Sequence, residues 1–251
     1  MLRFYHAVGN SVIVHMKPLT AIAENVASVQ ERIVVPARHS GRRSAEIILM
    51  AVTKTQPVES IFAAYEAGIR SFGENRVQEF ASKSEQLGEL KDAEFALVGR
   101  LQSNKAGKAI DLFSVIHSVD SLRLAERIST LVVASSRAPM PIAIEINSGD
   151  PAKAGLTPDS PELEELLRAA QRLPGISIQG LMTIPPLSED PQRARPYFRQ
   201  LRELRDDIAK RKLPAIKMDL LSIGMSHDFE VAIEEGSTCV RIGTAIFGER
   251  N

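Results

Sequence analysis

The sequence predicts an α/β protein folded as a single (β/α)8 TIM barrel, and three observations lead there. Eight short apolar runs alternate with longer amphipathic stretches, the rhythm of strand, crossover helix and parallel strand. A doubly wound open sheet would more often have about five to seven strands and a glycine-rich first turn, and no G-x-G-x-x-G occurs. No internal repeat, low-complexity tract or linker interrupts the alternation, so residues 18–251 read as one domain.

The elements follow in order. Residues 1–17 match nothing downstream and are read as an extension, with Met16 as an alternative start. One arginine ahead of an apolar stretch broken by His6, Gly9, Asn10 and Ser11 makes a poor secretory signal. "LTAIAENVASVQERIVVPA" then spaces its apolar residues for an extra N-terminal helix, with Thr20 as N-cap. Strand 47–53 is followed by Pro57, whose fixed φ suits the start of a helix over 58–68. Strand 69–73 leads to helix 75–87, strand 95–99 to helix 103–109, and strand 113–117 to helix 120–134 opened by Asp120. Strand 140–147 precedes a helix over 160–172, started by Ser160 and Pro161. Strand 177–183 precedes a helix over 191–211 behind Asp190-Pro191, strand 217–222 a helix over 227–235, and strand 238–242 closes the series.

Composition narrows the function. Of 251 residues, 44% are hydrophobic and 25% charged, with 31 basic and 31 acidic side chains. A formal charge of zero argues against a broad footprint for nucleic acid or anionic membrane. No apolar run approaches the roughly 20 residues of a membrane-spanning helix. The single cysteine, Cys239, excludes an intrachain disulfide and fits a reducing compartment, so the cytoplasm is expected; a monomer is the separate expectation for its assembly. Basic clusters at 41–44 and 207–212 read as solvated loop and helix ends.

Barrel chemistry gathers where strands end. In "ILMAVTKTQP" an apolar strand runs straight into Lys54. Desolvation there would lower the pKa of the amine, and a neutral amine attacks carbonyls. The alternative is a lysine that snorkels to solvent or pairs with Glu74 or Glu145. "LLSIGMSHDF" and "VRIGTAIFGE" end the last two strands in small and hydroxyl residues ahead of helix starts. Together they offer backbone N–H groups for a phosphate, a common use of these two barrel loops. Those loops neighbour the first strand in a closed barrel, so one phosphorylated aldehyde could touch both; pyridoxal 5'-phosphate (PLP) is such a molecule. Arg241 would then donate to an unprotonated ring nitrogen, or else form a salt bridge.

Six stretches, "AVTKTQP", "FGENRVQEF", "LQSNK", "GLMTI", "SIGMSHDFEVAIEEGST" and "VRIGTAIFGER", together resemble the YggS/PROSC family of pyridoxal phosphate homeostasis proteins, from about Leu19 onward. The resemblance implies an alanine-racemase-like barrel, PLP fold type III, without the racemases' C-terminal β domain. It implies a Schiff base between PLP and Lys54, with Asn75 over the cofactor and Met182 near its ring. Ser226, Gly243 and Thr244 would hold the phosphate, Ser222 and Met225 would line the approach, and Arg241 would face the pyridine nitrogen. It also implies a role in balancing vitamin B6 and amino-acid pools without established turnover. Two departures stand out. Ala96 replaces a histidine usual in the third-strand motif, and His227 sits where Asp or Met is common, where a helix-capping role is expected.

Racemases of this class need a second acid/base, a tyrosine from the further domain. Tyr5, Tyr65 and Tyr197 fall in the extension and in helices. A non-catalytic PLP holder is therefore expected, with a racemase- or lyase-type enzyme as the alternative. Cys239 and His117 read as structural, and the histidines show no metal-ligand spacing. "LQSNKAGK" would either bind a second anion through Lys105 and Lys108 or form an ordinary loop-to-helix turn.

Overall fold

A computed structural model describes residues 19–150 and 153–249; the expected extension over 1–17 lies outside the described residues. Eight parallel strands, β1 (Ile48–Val52), β2 (Ser71–Glu74), β3 (Glu94–Leu97), β4 (Val115–Val119), β5 (Met140–Glu145), β6 (Ile176–Met182), β7 (Ile216–Met225) and β8 (Cys239–Ile242), pair in chain order and close into a barrel. The closing seam sets Met50 opposite Arg241 and Ala51 opposite Ile242. Around them run α1 (Leu19–His39), α2 (Val58–Glu66), α3 (Val77–Lys83), α4 (Ala106–Leu112), α5 (Leu122–Ala134), α6 (Pro161–Ala169), α7 (Arg195–Lys210), α8 (Phe229–Glu234) and α9 (Thr244–Phe247). No helix among the described residues is long and apolar enough to cross a membrane.

Local chemistry explains the boundaries. Ser160 accepts the Leu163 N–H at 3.2 Å, with Pro161 at the first helical position of α6. Ser121, not Asp120, caps α5, because its hydroxyl reaches the Leu124 N–H at 3.3 Å. Thr20 lies inside α1 rather than capping it. α1 lies outside the strands, where Asn25 Nδ2 donates to the Ile246 carbonyl of α9 at 2.8 Å.

Burial divides into two regions. The larger fills the space between strands and helices, where Phe72, Phe80, Phe95 and Phe113 stack with centroids 4.7 to 5.3 Å apart and fasten α3 to β2 and β3. Each such pair adds about 1 kcal/mol beyond area burial. A smaller cluster of Met50, Ala96, Val98 and Cys239 forms a second apolar group, so the Ala96 departure fills space with a methyl group.

Two glycines shape the seams that matter for the site. A Cβ on Gly180 would lie 1.7 Å from the Leu220 carbonyl oxygen, so β6 and β7 approach only because that atom is missing. β7 runs three residues past its expected end at 222. Ser222 faces Cys239 and Met225 faces Arg241, so the β7 segment holds one residue more than its partner. Gly224 takes φ +91° within this bulge, a conformation that glycine adopts without cost.

Candidate functional site

Buried polar side chains collect at one rim of the barrel: Thr53 after β1, Glu74 on β2, His117 on β4, Glu145 on β5, Thr183 after β6, Ser222 on β7 and Arg241 on β8. Arg241, 4% exposed, sits at the centre of this group. Its Nη1 donates to the Ser222 carbonyl at 2.5 Å and the Ser222 hydroxyl at 2.8 Å, and its Nη2 donates to the Thr183 carbonyl at 2.9 Å. These partners are neutral oxygens, so the salt bridge weighed for Arg241 does not form within the described residues. Burial lowers its pKa, opposed by Cys239, Asp228 and Glu145. Three of its five N–H directions are thereby fixed, and the plane of the guanidinium with them.

Ser222 is fully buried beneath that arginine, and its hydroxyl also lies 3.1 Å from His117 Nδ1. Its hydroxyl thus joins Arg241 to His117 within the rim. Burial, reinforced by Arg241, pushes the His117 pKa down to about 3, so the imidazole is neutral near pH 7. The Cys239 thiol is pushed up to about 11, chiefly by burial, which makes it inert near neutral pH.

Lys54, half-buried, follows β1 in a turn held from both sides. Glu74, one of the partners considered for it, is engaged by Lys83 at 2.7 Å and by the Thr53 hydroxyl at 2.7 Å. Lys83 Nζ also donates to the Thr53 carbonyl at 3.0 Å and the Gln56 carbonyl at 3.4 Å. Burial raises the Glu74 pKa, and Lys83 and Thr53 hold it back. Thr55 sits at φ +63°, its N–H donating to Glu79 Oε1 at 2.5 Å. The backbone on both sides of Lys54 is thus fixed by side chains of β2 and α3.

Across the closing seam, the Ser226 hydroxyl accepts N–H bonds from Gly243 and Ala245, each at 3.2 Å. Gly243 lies against the first strand at ordinary contact distance: a Cβ there would stand 3.7 Å from the Val52 carbonyl oxygen. Thr244, exposed, opens α9. Met225 follows the bulge and donates its N–H to Asp228 Oδ1 at 2.7 Å. Asp228 is the residue that precedes α8, so exposed His227 does not cap it; the N-cap lies one residue further on than expected. Met182 is fully buried at the end of β6, paired with Ser222 and Glu145 in the neighbouring strands. Asn75 stands after β2, with Gly99 packed so tightly against its backbone that a Cβ would meet the Asn75 carbonyl oxygen at 2.2 Å. Lys54 follows β1, and Gly243 and Thr244 follow β8, its partner at the closing seam; Ser226 bonds to Gly243, Ser222 joins Arg241 and pairs with Met182, and Asn75 follows β2, the other neighbour of β1.

Glu145 has a larger place than the sequence suggested. Burial and the nearby Asp120 push its pKa up to about 7, with Arg241 and Arg100 opposing. A carboxyl that holds a proton near neutrality can donate as well as accept. Its signal was a lone glutamate inside "IAIEI", an apolar strand. Among the described residues no cluster of metal-ligating side chains occurs, and Tyr65 and Tyr197 lie on α2 and α7, outside the rim.

Comparison with known proteins agrees with this geometry. Residues 18–251 match the family model described as alanine racemase, N-terminal domain. The chain is 44% identical over 228 residues to the pyridoxal phosphate homeostasis protein of Aquifex aeolicus, covering 90% of this chain and 97% of that one. It is 41% identical over 237 residues to the protein of the same name from Escherichia coli K12, covering 92% and 97%. PipY of Synechococcus elongatus, solved with PLP bound, superposes with a TM-score of 0.78 at 36% identity, over 90% of this chain and all of that one. Alanine racemase of Clostridium difficile shares the fold at a TM-score of 0.68 and 14% identity, over 90% of this chain and 57% of that one.

Proposed function

Because the chain belongs to the family of pyridoxal phosphate homeostasis proteins, and carries the alanine racemase N-terminal domain through its barrel, we propose that it holds PLP as a Schiff base on Lys54 without turning over a substrate. It acts in PLP, vitamin B6 and amino-acid homeostasis. The observation that carries this reading is the closing seam, where β1 pairs with β8 and sets the Lys54 turn beside the Gly243–Ala245 amides gathered by Ser226.

The donor set fits the group. Bound PLP supplies an aldehyde and a phosphate. Lys54 would hold the aldehyde through its side-chain amine. The Ser226 hydroxyl proton and the Thr244 amide and hydroxyl offer neutral donors to the phosphate, while the Gly243 and Ala245 amides fix the Ser226 oxygen in place. Arg241, pinned by two carbonyls and Ser222, would present one of its remaining N–H groups to the pyridine nitrogen. An unprotonated ring nitrogen makes a weaker electron sink, which suits storage over carbanion chemistry. No tyrosine among the described residues reaches the rim to serve as a second base.

The test is the absorption spectrum of PLP-loaded protein beside Lys54→Ala. The visible band should disappear in the variant, and an unchanged band would overturn the lysine assignment. In deuterated water, alanine added to the loaded protein should keep its α-proton; rapid exchange would overturn the non-catalytic reading.

A further inference from the structure

A second cleft, of about 610 Å³, opens at the same end of the barrel, between the loops that follow β2, β3 and β4. Asn75 forms part of its wall, so it adjoins the proposed cofactor site without sharing the phosphate cradle. Four cations line it: Arg76, Arg100, Lys105 and Arg123. Asp120 is the one carboxylate in the lining, and it faces Arg100 at 3.7 Å. The cleft therefore carries a formal charge of +3 (four cations less one anion) on a chain whose total is zero. Arg76, Lys105 and Arg123 make no ion pair among the described residues. Elsewhere the molecule brings its arginines to carboxylates: Arg195, Arg199 and Arg202 all converge on Glu235.

From this we infer that the cleft binds a second phosphorylated small molecule carrying two or more negative charges. Its volume lies in the range of small-molecule pockets, about 300–1,000 Å³, which exceeds the need of a bare inorganic anion. Guanidinium forks match phosphate oxygens two at a time, while the Gln78, Gln102 and Ser103 side chains add neutral donors. Leu101 and Leu124 give an apolar wall for the organic part of the ligand. Of the two lysines in "LQSNKAGK", Lys105 lines the cleft and Lys108 does not. A nucleotide and an unattached B6 phosphate ester share the required chemistry, and they are separable by experiment.

Calorimetric titration of the PLP-loaded protein with ADP, and separately with pyridoxine 5'-phosphate, which has no aldehyde, tests the inference. One ligand should bind saturably at one site, and Lys105→Ala with Arg123→Ala should weaken it by about tenfold or more while the visible band stays unchanged. Arg123→Glu should weaken it further. The ADP or pyridoxine phosphate that binds names the source. Saturable binding of neither, binding only of a polyglutamate peptide, or binding indifferent to these substitutions would overturn the proposal. Because Lys54→Ala should abolish the band yet leave this heat intact, failure here is distinguishable from failure of the Schiff-base assignment.

Discussion

Glu145 is a buried carboxyl whose ionisation the fold resists, at 8% exposure and with Asp120 nearby. Its pKa rises from 4.5 to about 7 on folding. The native state therefore keeps a proton that the unfolded chain releases, and the stability tied to this group is present at low pH and lost as pH rises from about 4.5 through 7. Glu145→Gln should leave urea unfolding near pH 4.5 almost unchanged and raise native stability at pH 8 by roughly 2–3 kcal/mol. A stabilisation of equal size at both pH values would show that the carboxyl is not the cause. His117 works in the other sense: its pKa falls from 6.5 to about 3, so its contribution is lost as pH drops below 6.5. Ser226→Ala removes the oxygen that gathers the Gly243 and Ala245 amides. PLP affinity should fall by about 1.5–3 kcal/mol, the worth of one hydrogen bond to a charged group, with the Lys54 band retained at saturation; a direct PLP titration measures it, and unchanged affinity would exclude Ser226 from the cradle.

The β1 turn is held by β2 and α3, and the pair doing so is Lys83 with Glu74. Lys83→Met leaves the Glu74 carboxylate buried without its cation, which should cost about 3–5 kcal/mol. It should also slow the reaction of Lys54 with PLP, since the Thr53 and Gln56 carbonyls lose their tie. Stopped-flow absorbance on the folded fraction checks the rate, and adding Glu74→Gln should recover most of the stability but not the rate. A variant as stable and as fast as the parent would remove this support from the argument. The elements themselves were largely legible: β1, β5 and β6 lie within a residue or two of their apolar runs, because strands buried on both faces read as continuous hydrophobic stretches. The bulge in β7 was not legible. One added residue alters no hydrophobic pattern, and Gly224 could equally mark a turn. For the same reason the cap of α8 shifted from His227 to Asp228. Within the site, residues with unusual positions for their chemistry, such as Lys54 and Arg241, stood out in the sequence. The Lys83–Glu74 pair and the Arg100–Asp120 contact did not, because they join residues whose spacing carries no periodic signal.

At the scale of the whole molecule, eight strands close with one seam dependent on a missing side chain. Gly180→Ala would put a methyl carbon against the Leu220 carbonyl at 1.7 Å, a backbone atom with no room to retreat. Strand β6 must then part from β7, the strand that carries Ser222 and leads to Ser226. Chemical unfolding should show a loss above about 3 kcal/mol, as for other severe overpacking, or no folded protein at all; native-like stability would mean that the seam is more pliant than its geometry. The β1–β8 closure has a further consequence for biosynthesis. Lys54 follows the first strand of the cylinder and Gly243–Ala245 follow the last, so during synthesis the two halves of the proposed site cannot meet until residues 241–245 have left the exit tunnel.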